Sequence, residues 1–122
     1  MALKRALIID DSRSMRQMVA FTLKDAGFEL LEAENGAEGL ERLKGQRLGV
    51  IITDLNMPVM DGISFIKAAR GTVEARFLPI LILTTESQQE KKLEAKAAGA
   101  TGWIVKPFEP AKLLQTLQKV MG

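Results

Sequence analysis

The chain has 122 residues, 47% of them hydrophobic, which is enough for one real core and too few for two. Lysine and arginine total 17 against 15 aspartate and glutamate, a net charge of +2 scattered along the sequence, and this argues against a nucleic-acid surface. With no cysteine and no histidine, disulfides, thiol catalysis, the usual zinc sites and any Ser-His triad are excluded, so any chemistry falls to carboxylates, hydroxyls and lysine.

Apolar runs of strand length alternate with segments of helical period, five of each, which predicts βαβ units around a parallel sheet in a single domain over residues 1–122. Leu3 to Ile9 reads as the first strand. After Asp10-Asp11-Ser12, the spacing of Met15, Met18, Val19, Thr22 and Leu23 lays an apolar stripe on a first helix that Gly27 ends. Phe28 to Ala33 is a short, more polar second strand. Asn35-Gly36 opens the second helix, with Ala37, Leu40 and Leu43 on one face, and this helix looks the least secure. The third strand, Gly49 to Asp54, is apolar and β-branched, as in a strand covered on both faces. Pro58 and Asp61-Gly62 then set a turn, and a third helix carries Ile63, Ile66 and Ala69 inward. The longest apolar run, Phe77 to Leu83, is broken by Pro79 and far below membrane-spanning length. Pro79 to Leu83 forms the fourth strand and ends at Thr84-Thr85. Ser87 is expected to cap the fourth helix, about Gln88 to Ala98, whose one large aliphatic anchor is Leu93, so its hold on the core should be weak. Gly102 to Val105 is the fifth strand. Following Lys106-Pro107-Phe108, a last helix presents Leu113, Leu114, Leu117 and Val120. No signal-peptide pattern is visible, and a soluble, cytoplasmic protein is expected.

In a parallel sheet all carboxyl ends of the strands open on one edge, where ligands bind. Here Asp10 and Asp11 finish the first strand, Asp54 the third, Thr84 and Thr85 the fourth, and Lys106 follows the fifth. With strand order 2-1-3-4-5 the switch point lies between strands one and three, flanked by Asp11 and Asp54. Taken alone, Asp54 could be a turn residue, a metal ligand or a nucleophile, Asp11 and Ser12 could cap a helix, and Trp103 could be a core aromatic. Taken together, three carboxylates repel one another by roughly 4 kcal/mol per pair at about 4 Å and call for positive charge. Lys106 supplies one, and a few carboxylates with room for water suit Mg²⁺ better than calcium. An aspartate beside Mg²⁺ is a competent phosphoryl nucleophile, with Thr84 and Lys106 placed to bind phosphoryl oxygens.

The blocks Ile8-Ile9-Asp10-Asp11-Ser12, Asp54 through Gly62, Leu83-Thr84-Thr85 and Val105-Lys106-Pro107-Phe108 resemble the signature of bacterial response-regulator receiver domains over nearly the whole chain. Ser14-Met15-Arg16, Asn56 and Glu86 make the likeness strongest to the stand-alone chemotaxis regulators of that family. The resemblance implies a flavodoxin-like (βα)5 fold and phosphoryl acceptance by Asp54 from a sensor histidine kinase, its phosphotransfer domain or a small phosphodonor. It implies Mg²⁺ on Asp11, Asp54 and the Asn56 carbonyl, with Asp10 acting through a bound water. It further implies that Lys106 pairs with a phosphoryl oxygen, that Lys106-Pro107 is cis, and that Thr84 swings onto the phosphoryl group while Trp103 turns inward. The output would be a population shift on the face of helix four, strand five and helix five, read by a partner such as a flagellar motor component. A monomer is expected, without nucleic-acid or membrane partners, catalysing only its own phosphorylation and dephosphorylation. A Mg²⁺-dependent phosphohydrolase is the competing enzyme reading, but Asn56 stands where a second acid would protonate a leaving group. A flavin carrier would need a hydroxyl-rich phosphate loop after the first strand. The sequence fits a stand-alone receiver and equally one excised from a longer regulator.

Overall fold

The computed structural model describes residues 3–122, in which five strands form one parallel sheet of order β2-β1-β3-β4-β5. The strands are β1 (Arg5–Ile9), β2 (Glu29–Ala33), β3 (Val50–Thr53), β4 (Ile80–Thr84) and β5 (Gly102–Val105). Every residue of β3 and β4 is buried, because helices cover both faces of these inner strands. Edge strands β2 and β5 are more open, in keeping with their mixed composition.

Five helices alternate with the strands: α1 (Arg13–Asp25), α2 (Gly36–Leu43), α3 (Gly62–Arg70), α4 (Gln89–Ala98) and α5 (Pro110–Met121). Two apolar clusters divide along the sheet. Ile9, Ile51, Ile80 and Ile82 meet α2, α3 and α4 on one face. Ala6, Ile8, Val50, Ile52 and Leu83 meet α1 and α5 on the other. Alternate residues of each inner strand therefore serve opposite layers, as the period-two geometry of a strand requires.

The helices hold several surprises in their facing. On α1 the buried residues are Arg16, Val19, Ala20, Thr22 and Leu23, while Met18, expected inward, is 55% exposed. α2 turns Gly36, Gly39 and Leu43 to the core, leaving Ala37 and Leu40 only partly buried. A Cβ on Gly39 would run into Ile9 and Phe65, so this glycine lets a short helix lie close against the sheet and α3. Asn35 caps it by accepting from the Glu38 N–H at 2.9 Å. In α3, Phe65 joins Ile63, Ile66 and Ala69 in the core, fully buried. Leu93 of α4 is 58% exposed, and Ala95 is that helix's buried residue. Gln88, not Ser87, occupies the N-cap position, without a side-chain bond among the described residues. In α5, Leu113 and Leu117 are buried, with Leu114 and Val120 at the margin.

Candidate functional site: an acidic pocket at the carboxyl edge of the sheet

Register places the ends of β1 and β3 side by side, Ile9 opposite Thr53, so Asp10 and Asp54 leave adjacent strands at the same level. Both aspartates are buried, at 4% and 9% exposure, whereas Asp11 is exposed. Carboxylate oxygens of Asp10, Asp11 and Asp54 lie within 4.8 Å of one another. From β5, Lys106 reaches across the edge, its Nζ donating to Asp10 Oδ2 at 2.7 Å and to Asp54 Oδ2 at 3.3 Å. The other oxygen of Asp54 accepts from the Leu55 N–H at 2.7 Å, which fixes the carboxylate plane. Burial pushes the Asp10 carboxyl up from its ordinary value, opposed by its bonds to Lys106 and to the Ser12 N–H.

One ammonium faces three carboxylates, leaving two negative charges without a partner in the pocket. Hard oxygen donors with a charge deficit of this size suit a divalent cation, and Asp10, Asp11 and Asp54 are the residues that could hold it. Asn56 sits exposed in the following loop, two residues beyond Asp54.

That loop is built to turn sharply. The Met60 N–H donates to the Pro58 carbonyl at 2.7 Å, and Val59 between them has φ 70°, a conformation costly for a β-branched residue. Gly62 then donates to the Leu55 carbonyl at 2.8 Å, and a Cβ there would strike the Asp54 carbonyl, so glycine is the residue that closes the loop onto the strand end.

Thr84 is buried at the end of β4, and its Oγ1 accepts from the Glu86 N–H at 3.2 Å. Lys106-Pro107 is cis. Trp103 is half-buried against the α2–α4 side of the sheet. Its Nε1 is buried with no hydrogen-bond partner among the described residues, and Lys92 Nζ stands 5.9 Å from its ring centre. Asp10, Asp11, Asp54 and Lys106 thus converge. Thr84 ends the neighbouring strand, Asn56 lies on the rim, and Trp103 belongs to the α4–β5 side.

Two buried or half-buried arginines that sequence reasoning did not single out for a role fasten the frame, Arg16 at this site and Arg70 at the opposite edge of the sheet. Arg16 is buried beneath the acidic pocket, donating from Nη1 to the Asp10 carbonyl at 2.7 Å and from Nε to Glu32 at 3.3 Å. Arg70, at the end of α3, donates to the carbonyls of Ala75, Leu78 and Gly99. A cation in a helical stretch reads from sequence as solvated. For Arg16 the available signal was its place beside Val19 and Ala20 on the inward arc of α1.

A parallel sheet of this order, carrying three acids and a lysine at its carboxyl edge, places the protein in a defined class: the chain belongs to the response regulator receiver domain family, which matches residues 6–118. Within that family its relatives are CheY-type chemotaxis proteins. Chemotaxis protein CheY-3 of Vibrio cholerae is 41% identical over 117 residues, covering 95% of this chain and 90% of that protein. The solved structure of the chemotaxis response regulator CheY4 of Vibrio cholerae is 54% identical, covers 97% of this chain and 98% of its own, and superposes with a TM-score of 0.91. A more distant structure, the receiver domain of a sensor histidine kinase from Pseudomonas aeruginosa, is 26% identical, covers 99% of both chains with a TM-score of 0.91, and has a magnesium ion coordinated in its active-site cleft. Two-component signalling is the work of this family, and Mg²⁺-dependent phosphorylation is general to it.

Proposed function

We propose that this protein is a CheY-type chemotaxis regulator in which Asp54 accepts a phosphoryl group from a histidine kinase or its phosphotransfer domain. The observation that carries the reading is the pocket itself: the Asp54 carboxylate stands beside Lys106 and within reach of two further acids, with two negative charges left over. Asp11, Asp54 and the Asn56 carbonyl would hold Mg²⁺, with Asp10 behind them. Bound there, the ion would offset the charge of the carboxylates and of the incoming phosphoryl oxygens.

A carboxylate oxygen of Asp54 attacks phosphorus as the P–N bond to the donor imidazole breaks, the imidazole leaving with the electron pair and Asp54 becoming an acyl phosphate. Lys106 pairs with a phosphoryl oxygen, exchanging part of its bond to Asp54. Thr84 turns its hydroxyl toward another, which withdraws the acceptor that now holds the Glu86 N–H. Glu86 leads into α4, so the change passes to α4, β5 and Trp103, the face read by a downstream partner such as a flagellar motor component. Water returns Asp54 to the carboxylate, so the protein catalyses its own phosphorylation and dephosphorylation and acts on no other substrate. The setting would be the cytoplasm; among the described residues no helix is long and apolar enough to cross a membrane.

Incubation with acetyl phosphate and Mg²⁺, followed by intact mass spectrometry, tests the assignment. The wild type should gain one hydroxylamine-labile phosphoryl adduct, which should not form when Mg²⁺ is chelated beforehand, and Asp54→Asn should gain none. Labelling of Asp54→Asn to the wild-type extent would overturn the role of Asp54.

A further inference from the structure

We propose that Arg16 is a positioning residue for cation binding at the acidic pocket, acting from behind it through the backbone of Asp10. The proposal rests on the reading of the pocket as a Mg²⁺ and phosphoryl site. Arg16 lies in the first turns of α1 and is only 9% exposed, and a guanidinium so buried is costly unless its donors are satisfied. Two partners do this: the Asp10 carbonyl at 2.7 Å and Glu32 of β2 at 3.3 Å.

Each polar group of Asp10 is engaged. Its N–H donates to the Ala33 carbonyl, Oδ1 accepts from the Ser12 N–H, Oδ2 accepts from Lys106, and its carbonyl accepts from Arg16. The last of these comes from a side chain outside the pocket. The Arg16 N–H also donates to the Ser12 carbonyl at 3.0 Å. Arg16 therefore grips the Asp10-Asp11-Ser12 turn twice, once through its side chain and once through its backbone. Asp11 is exposed, so packing does not hold its side chain and the turn that carries it sets where its carboxylate can reach. Loosening that turn should misalign Asp11 relative to Asp54 without removing any ligand.

A role as charge alone and a role in positioning predict opposite signs. A guanidinium near three carboxylates competes with a cation, so if only its charge mattered, removing it would tighten Mg²⁺ binding. Loss of a positioning bond loosens it.

Calorimetric titration with Mg²⁺ of the wild type, Arg16→Met, Arg16→Lys and Glu32→Gln, each accompanied by a metal-free thermal melt, decides between them. Arg16→Met should bind Mg²⁺ about tenfold more weakly, the range found when a residue supporting a metal ligand is lost. Arg16→Lys, whose ammonium can still reach one carbonyl but has no fork, should weaken binding about threefold. In the metal-free protein the Asp11 and Ser12 amide resonances should shift in Arg16→Met and stay in place in Glu32→Gln. Unchanged or tighter Mg²⁺ binding by Arg16→Met overturns the proposal, and should that variant not fold, unchanged or tighter binding by Arg16→Lys does so. A wild type that binds no Mg²⁺ overturns the reading of the pocket itself, whereas a wild type that binds as well as its folded Arg16 variants do overturns only the role of Arg16.

Discussion

Helices α3 and α4 touch each other on the same face of the sheet, yet they are held in different ways. α3 begins with Asp61 accepting from the Ser64 N–H at 2.8 Å and buries five of its nine residues. α4 is ten residues long, has no side-chain cap, and buries Ala95. What holds α4 gathers at its far end. Gly99 closes it in a left-handed conformation, Arg70 donates to the Gly99 carbonyl at 2.6 Å, the Thr101 N–H donates to the Ile80 carbonyl, and Thr101 Oγ1 accepts from the Ile80 N–H. At the near end a chain of two bonds leads back to the pocket: Gln88 N–H to Glu86, and Glu86 N–H to Thr84. A helix fastened at one end and lightly tied at the other can swing, and the lightly tied end is the one that leaves the strand beside Asp54. α3 is part of the frame, whereas α4 is the element that a change at Thr84 can move.

The largest expected effect lies in the frame. Phe65→Ala should cost about 3–5 kcal/mol in urea denaturation, because the ring is fully buried and packs closely against Gly36 and Gly39 of α2. A loss below about 1 kcal/mol would mean that α3 is as loosely built as α4 and would erase the contrast.

An intermediate effect is expected at the fastening. Arg70→Met removes the donors to the Ala75, Leu78 and Gly99 carbonyls and should cost about 1–3 kcal/mol, the range for unsatisfied buried groups. Its signature is local. Amide hydrogen exchange should quicken at Gly99, Ala100 and Thr101 and stay unchanged in α3 before Ala68. Equal protection at Gly99 to Thr101 in both proteins would show that the left-handed cap suffices without Arg70.

The frame was far more legible in the sequence than the fastenings. Runs such as Val50-Ile51-Ile52 and Ile80-Leu81-Ile82 are long, apolar and bounded by turn residues, so strand number and the acids at the strand ends follow from pattern, whereas the order 2-1-3-4-5 comes with the fold class. The site is legible for the same reason, since a residue just past a strand end has one place to go. Side-chain facing on the helices is less so. Met18 and Leu93 fit an apolar stripe but point outward, because Arg16 and Ala95 take the inward positions. Arg16 spends its charge on the Asp10 carbonyl and the Glu32 carboxylate, and Arg70 on carbonyls that include Gly99, contacts that no helical period encodes. Phe65 was hidden in the same way, since its ring fills space that exists only because Gly36 and Gly39 lie opposite.

The smallest effect on stability is expected where the sequence placed the anchor of α4. Leu93 is 58% exposed, so truncating it removes little area from the core, and Leu93→Ala should change the unfolding free energy by less than about 0.5 kcal/mol. Alanine is also the better helix former, which offsets part of even that loss. Ala95 and Ala98, not Leu93, face the core cluster, and their small size suits the close approach of α4 to α3. A cost above about 1.5 kcal/mol would place Leu93 inside the core in solution and make α4 an ordinary framework helix. The expected null effect has the opposite meaning: an apolar side chain kept outward on a lightly held helix contributes nothing to folding, and stays on the exposed face of α4.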